Sequence, residues 1–214
     1  MSVAIIANKP AGPGRPKDLE KRAAILQAAK RLFTTQGFEG TSMDAIAAAA
    51  GVSKLTVYSH YQDKERLFGA AVECVCAEQM PPEIFTADLK GPLRKQIYAI
   101  ARAFFCLITS EEALAVHRTI VTNGRQSPKL AQLFWEAGPR RTQEAFESFL
   151  RAEVDAGKLQ IPDLHRAASQ FFCLLKGELH ARLEFGCCQE ITPRDIDDHI
   201  NATVDMFLRA YLPR

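Results

Sequence analysis

"GVSKLTVYSHYQDKERLF", Gly51 to Phe68, is the stretch on which the reading of this chain turns. It follows a run of small residues, "AIAAAA", Ala45 to Ala50. Ala47 sits where two helices must cross closely, so a large side chain there would clash. Four residues later Gly51 can take the positive φ of a tight turn. Six residues after that, Val57 plugs the space between the helices, with Ile46 and Val52 beside it. This spacing, Ala-x3-Gly-x5-Val, is the packing signature of a helix-turn-helix. Small residues let the second helix pack tightly, and tight packing lets it project. Its projected face carries Ser53, Lys54, Thr56, Ser59 and His60, which are hydrogen-bonding groups rather than core groups. A helix that enters the major groove of DNA needs such a face.

Working outward, the rest of the chain reads as helices. One starts near Lys17 and keeps Leu19, Ile25, Leu26, Ala29, Leu32 and Phe33 on one face. Gly37 ends it. Thr41 or Ser42 caps the next, Ser53 the third and Asp63 the fourth, which Met80-Pro81-Pro82 stops. Leu93 to Ile108 is apolar on more than one face, as in a deeply buried helix. Ser110, Ser127-Pro128, Asp163 and Thr192-Pro193 open four more, and Gly138-Pro139 breaks or kinks the pattern between them. No strand pattern and no repeat is present. The expected fold is all-α, with about nine helices: an arm over 1–16, a three-helix helix-turn-helix domain over 17–66, and a larger helical domain over 67–214.

The composition agrees with a soluble globular chain: 214 residues, 47% hydrophobic and 24% charged. The net charge of +2 is unevenly spread. Met1 to Arg66 carries ten Lys/Arg against six Asp/Glu, and the remainder 17 against 19. A basic front and an acidic back suggest that the front meets a polyanion. No run of about 18 apolar residues spans a membrane, and the first residues lack the pattern of a signal peptide. The six cysteines form no spaced Cys/His quartet, so reduced thiols in a cytoplasmic protein, without a metal, are expected.

The stretch "AAILQAAKRLFTTQGFEGTSMDAIAAAAGVSKLTVYSHYQDKERLF" resembles the DNA-binding domain of TetR-family transcriptional regulators. More weakly, "SPKLAQLFWEAGPRRTQEAFESFLRAEVDAGKL" resembles the C-terminal domain of the AefR-like branch. The resemblance implies a homodimeric repressor that releases double-stranded operator DNA when a small molecule binds the C-terminal half. By motif position it implies that Thr41 and Ser42 grip a phosphate at a helix N-terminus. Lys54 and Thr56, beside Ser53, would reach base edges. Tyr58 and His60 would bond phosphates, and Lys64 would pin the backbone as a point charge. Tyr61 fills an aromatic core position. Position 55 departs from the family: it is Leu where many members carry Gly, Pro or Ala. Two readings stay open there, a contact to a thymine methyl or a side chain left in solvent. Gly14-Arg15-Pro16-Lys17 is either an arm that enters the minor groove or a solvated tail.

The back half holds no Ser/His/Asp order, no Gly-rich phosphate loop and no paired buried carboxylates, so no catalytic residue and no cofactor is expected. The aromatic cluster of Phe104, Phe105, Phe134, Trp135, Phe171 and Phe172 is core by default. The family resemblance implies that part of it lines a cavity for a small apolar or amphipathic effector. The residues expected there are Phe105, His117, Trp135 and Phe172. Two other readings compete: a redox-switched regulator using the vicinal Cys187-Cys188, and an enzyme built on a helical bundle. The missing catalytic constellation disfavours the enzyme.

Overall fold

The computed structural model describes residues 14–86, 91–188 and 190–213, with side chains from residue 18. Among these residues there are ten α-helices, one 3-10 turn at Pro82–Phe85 and no strand. The helices are α1 (Gly14–Gly40), α2 (Met43–Ala50), α3 (Lys54–His60), α4 (Lys64–Gln79), α5 (Leu93–Thr109), α6 (Glu111–Asn123), α7 (Pro128–Ala137), α8 (Pro139–Asp155), α9 (Leu164–Glu184) and α10 (Pro193–Tyr211). The fold is therefore all-α. The break expected at Gly138-Pro139 is a sharp corner: Gly138 adopts φ −122° and ψ −80°, which separates α7 from α8.

Caps set most of the helix starts. The side chains of Ser42, Ser53, Asp63, Ser110, Asp163 and Thr192 each accept a bond from a backbone N–H in the first turn that follows. Helix α1 opens three residues earlier than expected, at Gly14, so part of the expected 1–16 arm is helical. Residues 1–13 of that arm, and the side chains of Gly14-Arg15-Pro16-Lys17, lie outside the described residues. The regular turn of α1 stops at Gly37, whose φ of 71° with ψ of 177° is a conformation open to glycine.

Two apolar clusters organise the chain. The first joins Ile25, Ala29 and Phe33 of α1, Ile46 and Ala47 of α2, Val57 of α3, and Leu67, Phe68, Ala71 and Val72 of α4, with Leu130 of α7 closing it. The second joins Ile97, Ile100, Ala101 and Phe105 of α5, Phe146, Phe149 and Leu150 of α8, Phe171 and Leu175 of α9, and Ile200, Val204 and Phe207 of α10. The division expected at 66/67 falls inside α4. That helix continues across it and gives its first half to the N-terminal cluster.

Helix α9 is not straight. Gly177 within it has φ 44° and ψ −158°, which interrupts the helical backbone. The ring of His199, from α10, occupies the space beside it: a Cβ on residue 177 would lie 2.8 Å from His199 Cε1. His199 Nε2 stands 2.8 Å from the Leu175 carbonyl oxygen, and its ring is 5.5 Å from that of Phe105. Gly177→Ala should therefore lower stability by roughly 1–3 kcal/mol, through a disfavoured φ and a clash. Combining it with His199→Ala should recover part of the loss. Denaturant unfolding of the two variants checks this. Equal stability of wild type and Gly177→Ala would contradict the kink.

Candidate nucleic-acid interface and effector cavity

The helix-turn-helix is built as its spacing requires. Gly51 takes φ 65° and ψ 31°, and its N–H closes the end of α2 on Ala47 and Ala48 carbonyls. Val57 is fully buried and Ala47 nearly so, so α3 seats on α2 over the core that α1 shares. Opposite Val57, α3 faces solvent. Ser53 caps the helix and its hydroxyl lies 2.8 Å from that of Thr56. Lys54 Nζ is 2.8 Å from Asp44 Oδ1 of α2, an exposed pair that raises the lysine pKa through hydrogen bond and charge. Tyr58 is 41% exposed, and Lys54 Nζ lies 5.9 Å from its ring centroid. His60, largely covered, sits with Nε2 3.2 Å from Asp18 of α1. Ser42 is exposed at the N-terminus of α2. Thus Ser42, Ser53, Lys54, Thr56, Tyr58 and His60 share the outer side of the α2–α3 unit or its rim.

Two residues expected with them have partners inside the protein. Thr41 is 1% exposed, and its hydroxyl donates to the Leu32 and Gly37 carbonyls at 3.1 and 2.7 Å. It ties down the end of α1, leaving the N-terminus of α2 to Ser42. Lys64 is half-buried: Nζ donates to the Phe38 carbonyl at 2.9 Å and lies 4.2 Å over the Phe38 ring. Tyr61, as expected, is core; it is 6% exposed and its hydroxyl accepts from Arg22 Nε at 3.3 Å.

The start of α4 is also tied to the C-terminal helices. Asp63 caps α4 through the Arg66 N–H and pairs with Lys129 of α7 at 2.7 Å. Burial pushes the Asp63 carboxyl up, but Lys129 and the Arg66 N–H outweigh it and hold it below the usual carboxylate range. Lys30 of α1 pairs with Glu78 at the far end of α4, at 2.5 Å.

A cavity of about 260 Å³ lies among α4, α5, α6, α7, α8 and α9. Its apolar wall is Val72, Val75, Phe104, Leu107, Ile108, Val116, Phe134, Trp135 and Phe172. Thr142, Gln143, Ser169, His117, His180 and Lys176 add polar groups. Of the expected residues, His117, Trp135 and Phe172 are on this wall. Phe105 is not: fully buried, it packs in the second cluster beside His199, while its neighbour Phe104 lines the cavity. His117 Nδ1 is 2.9 Å from Glu184 Oε1. Burial depresses the His180 pKa; Glu184 opposes this, Lys176 and His117 add to it, and a bond to the Ile108 backbone opposes it again. Cys76 also lines the cavity, its thiol pushed up to about 11 by burial. Cys187 and Cys188 follow the turn at the end of α9 and do not line it.

The sequence reading missed Ser169, Cys173, Lys176 and His180 as one set. Ser169, Cys173 and Lys176 recur at three or four residues on one face of α9, and His180 joins them beyond the interruption at Gly177. That spacing was the available signal, but the face mixes polar and apolar groups and reads as an ordinary amphipathic stripe. Asp44 and Lys129, which hold Lys54 and Asp63, were also unforeseen, because each partner lies on a different helix.

A head of this geometry on a helical body defines a DNA-binding transcriptional regulator, and the comparisons with known proteins agree. Residues 25–71 match the model for bacterial regulatory proteins of the tetR family. Residues 95–213, more than half the chain, match the AefR-like transcriptional repressor C-terminal domain. The chain belongs to the TetR family, whose members are transcriptional regulators. A TetR-family regulator from Mesorhizobium loti superposes with a TM-score of 0.81 at 29% identity, over 92% of this chain and 99% of that one. The flavonoid-responsive regulator FrrA does so with a TM-score of 0.73 at 34% identity, over 91% and 98%. The HTH-type regulator YhgD of Bacillus subtilis is 21% identical over 65% of this chain and 70% of its own. Among the described residues, no helix is long and apolar enough to cross a membrane.

The Lys64 contacts predict a cost in folding. Lys64→Ala leaves the Phe38 carbonyl with one donor fewer and uncovers the ring beneath. The melting temperature should fall by the equivalent of about 1 kcal/mol. A lysine whose only role was to touch phosphate would leave the melting temperature of the free protein unchanged.

Proposed function

We propose that the protein is a cytoplasmic, dimeric, ligand-responsive repressor that a small apolar or amphipathic molecule releases from a near-palindromic operator. The observation that carries this is the position of the cavity. Its wall includes Val72, Val75 and Cys76 of α4, and the same helix buries Leu67, Phe68 and Ala71 in the core of the DNA-reading head. A molecule that fills the cavity pushes on the helix that supports the head. The match to the AefR-like repressor domain supports repression, and FrrA, named as flavonoid-responsive, supports a small organic effector.

In this reading Ser42 bonds a phosphate at the N-terminus of α2. Lys54 and Thr56, positioned by Asp44 and Ser53, reach base edges, and Tyr58 and His60 bond flanking phosphates. His117, Trp135 and Phe172 contact the effector. The cavity's mixed wall, with Phe104, Phe134, Trp135 and Phe172 alongside Thr142, Gln143 and His180, suits an amphipathic ligand. Helices α9 and α10 leave Leu174 at 40% and Met206 at 50% exposure, apolar groups suited to a four-helix bundle with a second copy. Two heads then meet successive major grooves of one operator.

The test couples two measurements. If each subunit neutralises about 3 to 5 phosphates, log K against log salt should slope at roughly −5 to −9. A screen of small aromatic compounds should yield one that weakens operator binding at least tenfold, a coupling of about 1.4 kcal/mol, and changes Trp135 fluorescence over the same concentration range. A flat salt dependence or a monomer at micromolar concentration contradicts the dimeric DNA reader. An inducer that leaves Trp135 emission unchanged contradicts the assignment of this cavity.

A further inference from the structure

Helix α3 turns by about 100° per residue, so the buried Val57 fixes which side chains point straight out. Leu55 and Ser59, two residues before and after it, each lie about 160° from Val57. Thr56 and Tyr58 lie to the sides at about 100°, and Lys54 and His60 lie near the packed flanks at about 60°. The centre of the outward face is therefore Leu55 and Ser59. Leu55 is 82% exposed, the highest value among the exposed large apolar side chains of the described residues.

Its polar neighbours are engaged within the protein. Lys54 is held by Asp44, the Ser53 and Thr56 hydroxyls lie 2.8 Å apart, and Ser59 Oγ donates to the Thr56 carbonyl at 2.8 Å. Leu55 has no such partner to make, and it leads the face that this fold turns outward. In the major groove the base edges present mostly hydrogen-bonding groups, and the one bulky apolar group is the 5-methyl of thymine. An outward leucine gains nothing from an amino or carbonyl group, and it would bury a polar edge without satisfying it. Against a methyl it removes apolar surface from water on both sides.

We propose that Leu55 is a base-specificity residue that reads the 5-methyl group of a thymine in each half-site. The proposal rests on the reading that α3 enters the major groove, and it adds the identity of one base that the groove must present.

The test uses the full-length protein and a duplex that the wild type enriches from a random pool. Each thymine is replaced in turn by deoxyuridine, which removes the methyl and keeps every hydrogen-bonding group. Affinities are read by fluorescence anisotropy for wild type and Leu55→Ala, and melting temperatures confirm that the exposed substitution leaves the fold intact. The expected result is one position per half-site at which the swap weakens wild-type binding about fourfold, the worth of one buried methyl. Leu55→Ala should bind the thymine and deoxyuridine duplexes equally at that position. Wild-type binding that ignores every swap overturns the proposal. So does a Leu55→Ala variant that discriminates as the wild type does, because another group then reads the methyl. If the wild type enriches no duplex at all, the DNA-binding reading itself fails, and this proposal with it.

Discussion

Helix α4 is buried from two sides, and the rest of the molecule depends on that constraint. Its first half completes the core of the head through Leu67, Phe68, Ala71 and Val72, and its second half forms cavity wall through Val75 and Cys76. Val72 belongs to both. Close-packed interiors transmit displacement because they hold few voids that could absorb it. A helix packed into two cores at once cannot shift at one end without disturbing its neighbours at the other, although Arg66, Glu73 and Ala77 of α4 face solvent. Asp63–Lys129 and Lys30–Glu78 add polar ties at the two ends of α4, one to α7 and one to α1. These exposed or half-exposed pairs contribute little stability, but they fix the register in which the head meets the body.

The head itself is held in shape before any partner arrives. Seven residues of α3 are too few to be stable as an isolated helix. The helix persists because Val57 is locked beneath it, Ser53 caps its start and the Tyr61 N–H closes its end on the Val57 carbonyl. Lys54 is already oriented by Asp44. Ordering side chains on binding costs affinity, so a face arranged in advance loses less on contact. The same arrangement leaves Leu55 as the prominent group that the protein does not itself use.

How much of this was legible in the sequence depended on how few residues each position tolerates. Gly51, Ala47 and Val57 stand at a left-handed turn, a close crossing and a sealed gap, and each of those admits almost no alternative. The caps at Ser53, Asp63, Asp163 and Thr192 were legible for the same local reason. Thr41 was not, because two adjacent hydroxyls before a helix look alike until the end of α1 folds over one of them. Phe104 and Phe105 differ by one step around a helix, and that step decides cavity against core. Gly177 reads as a tolerated glycine in a helical pattern; its role becomes visible only when His199, 22 positions later, fills the space beside it. The cavity draws on six helices, and no local pattern says which of their faces meet.

The most direct test needs no effector. Val75 stands on α4 at the cavity wall, and Val75→Phe places a ring in the space a ligand would take. If the cavity acts on the head through α4, this variant should remain folded, keep or raise its melting temperature, and bind operator at least tenfold more weakly than wild type. A Val75→Phe protein whose cavity is filled, whose fold is intact and whose operator affinity is unchanged would contradict the claim that α4 couples the two sites.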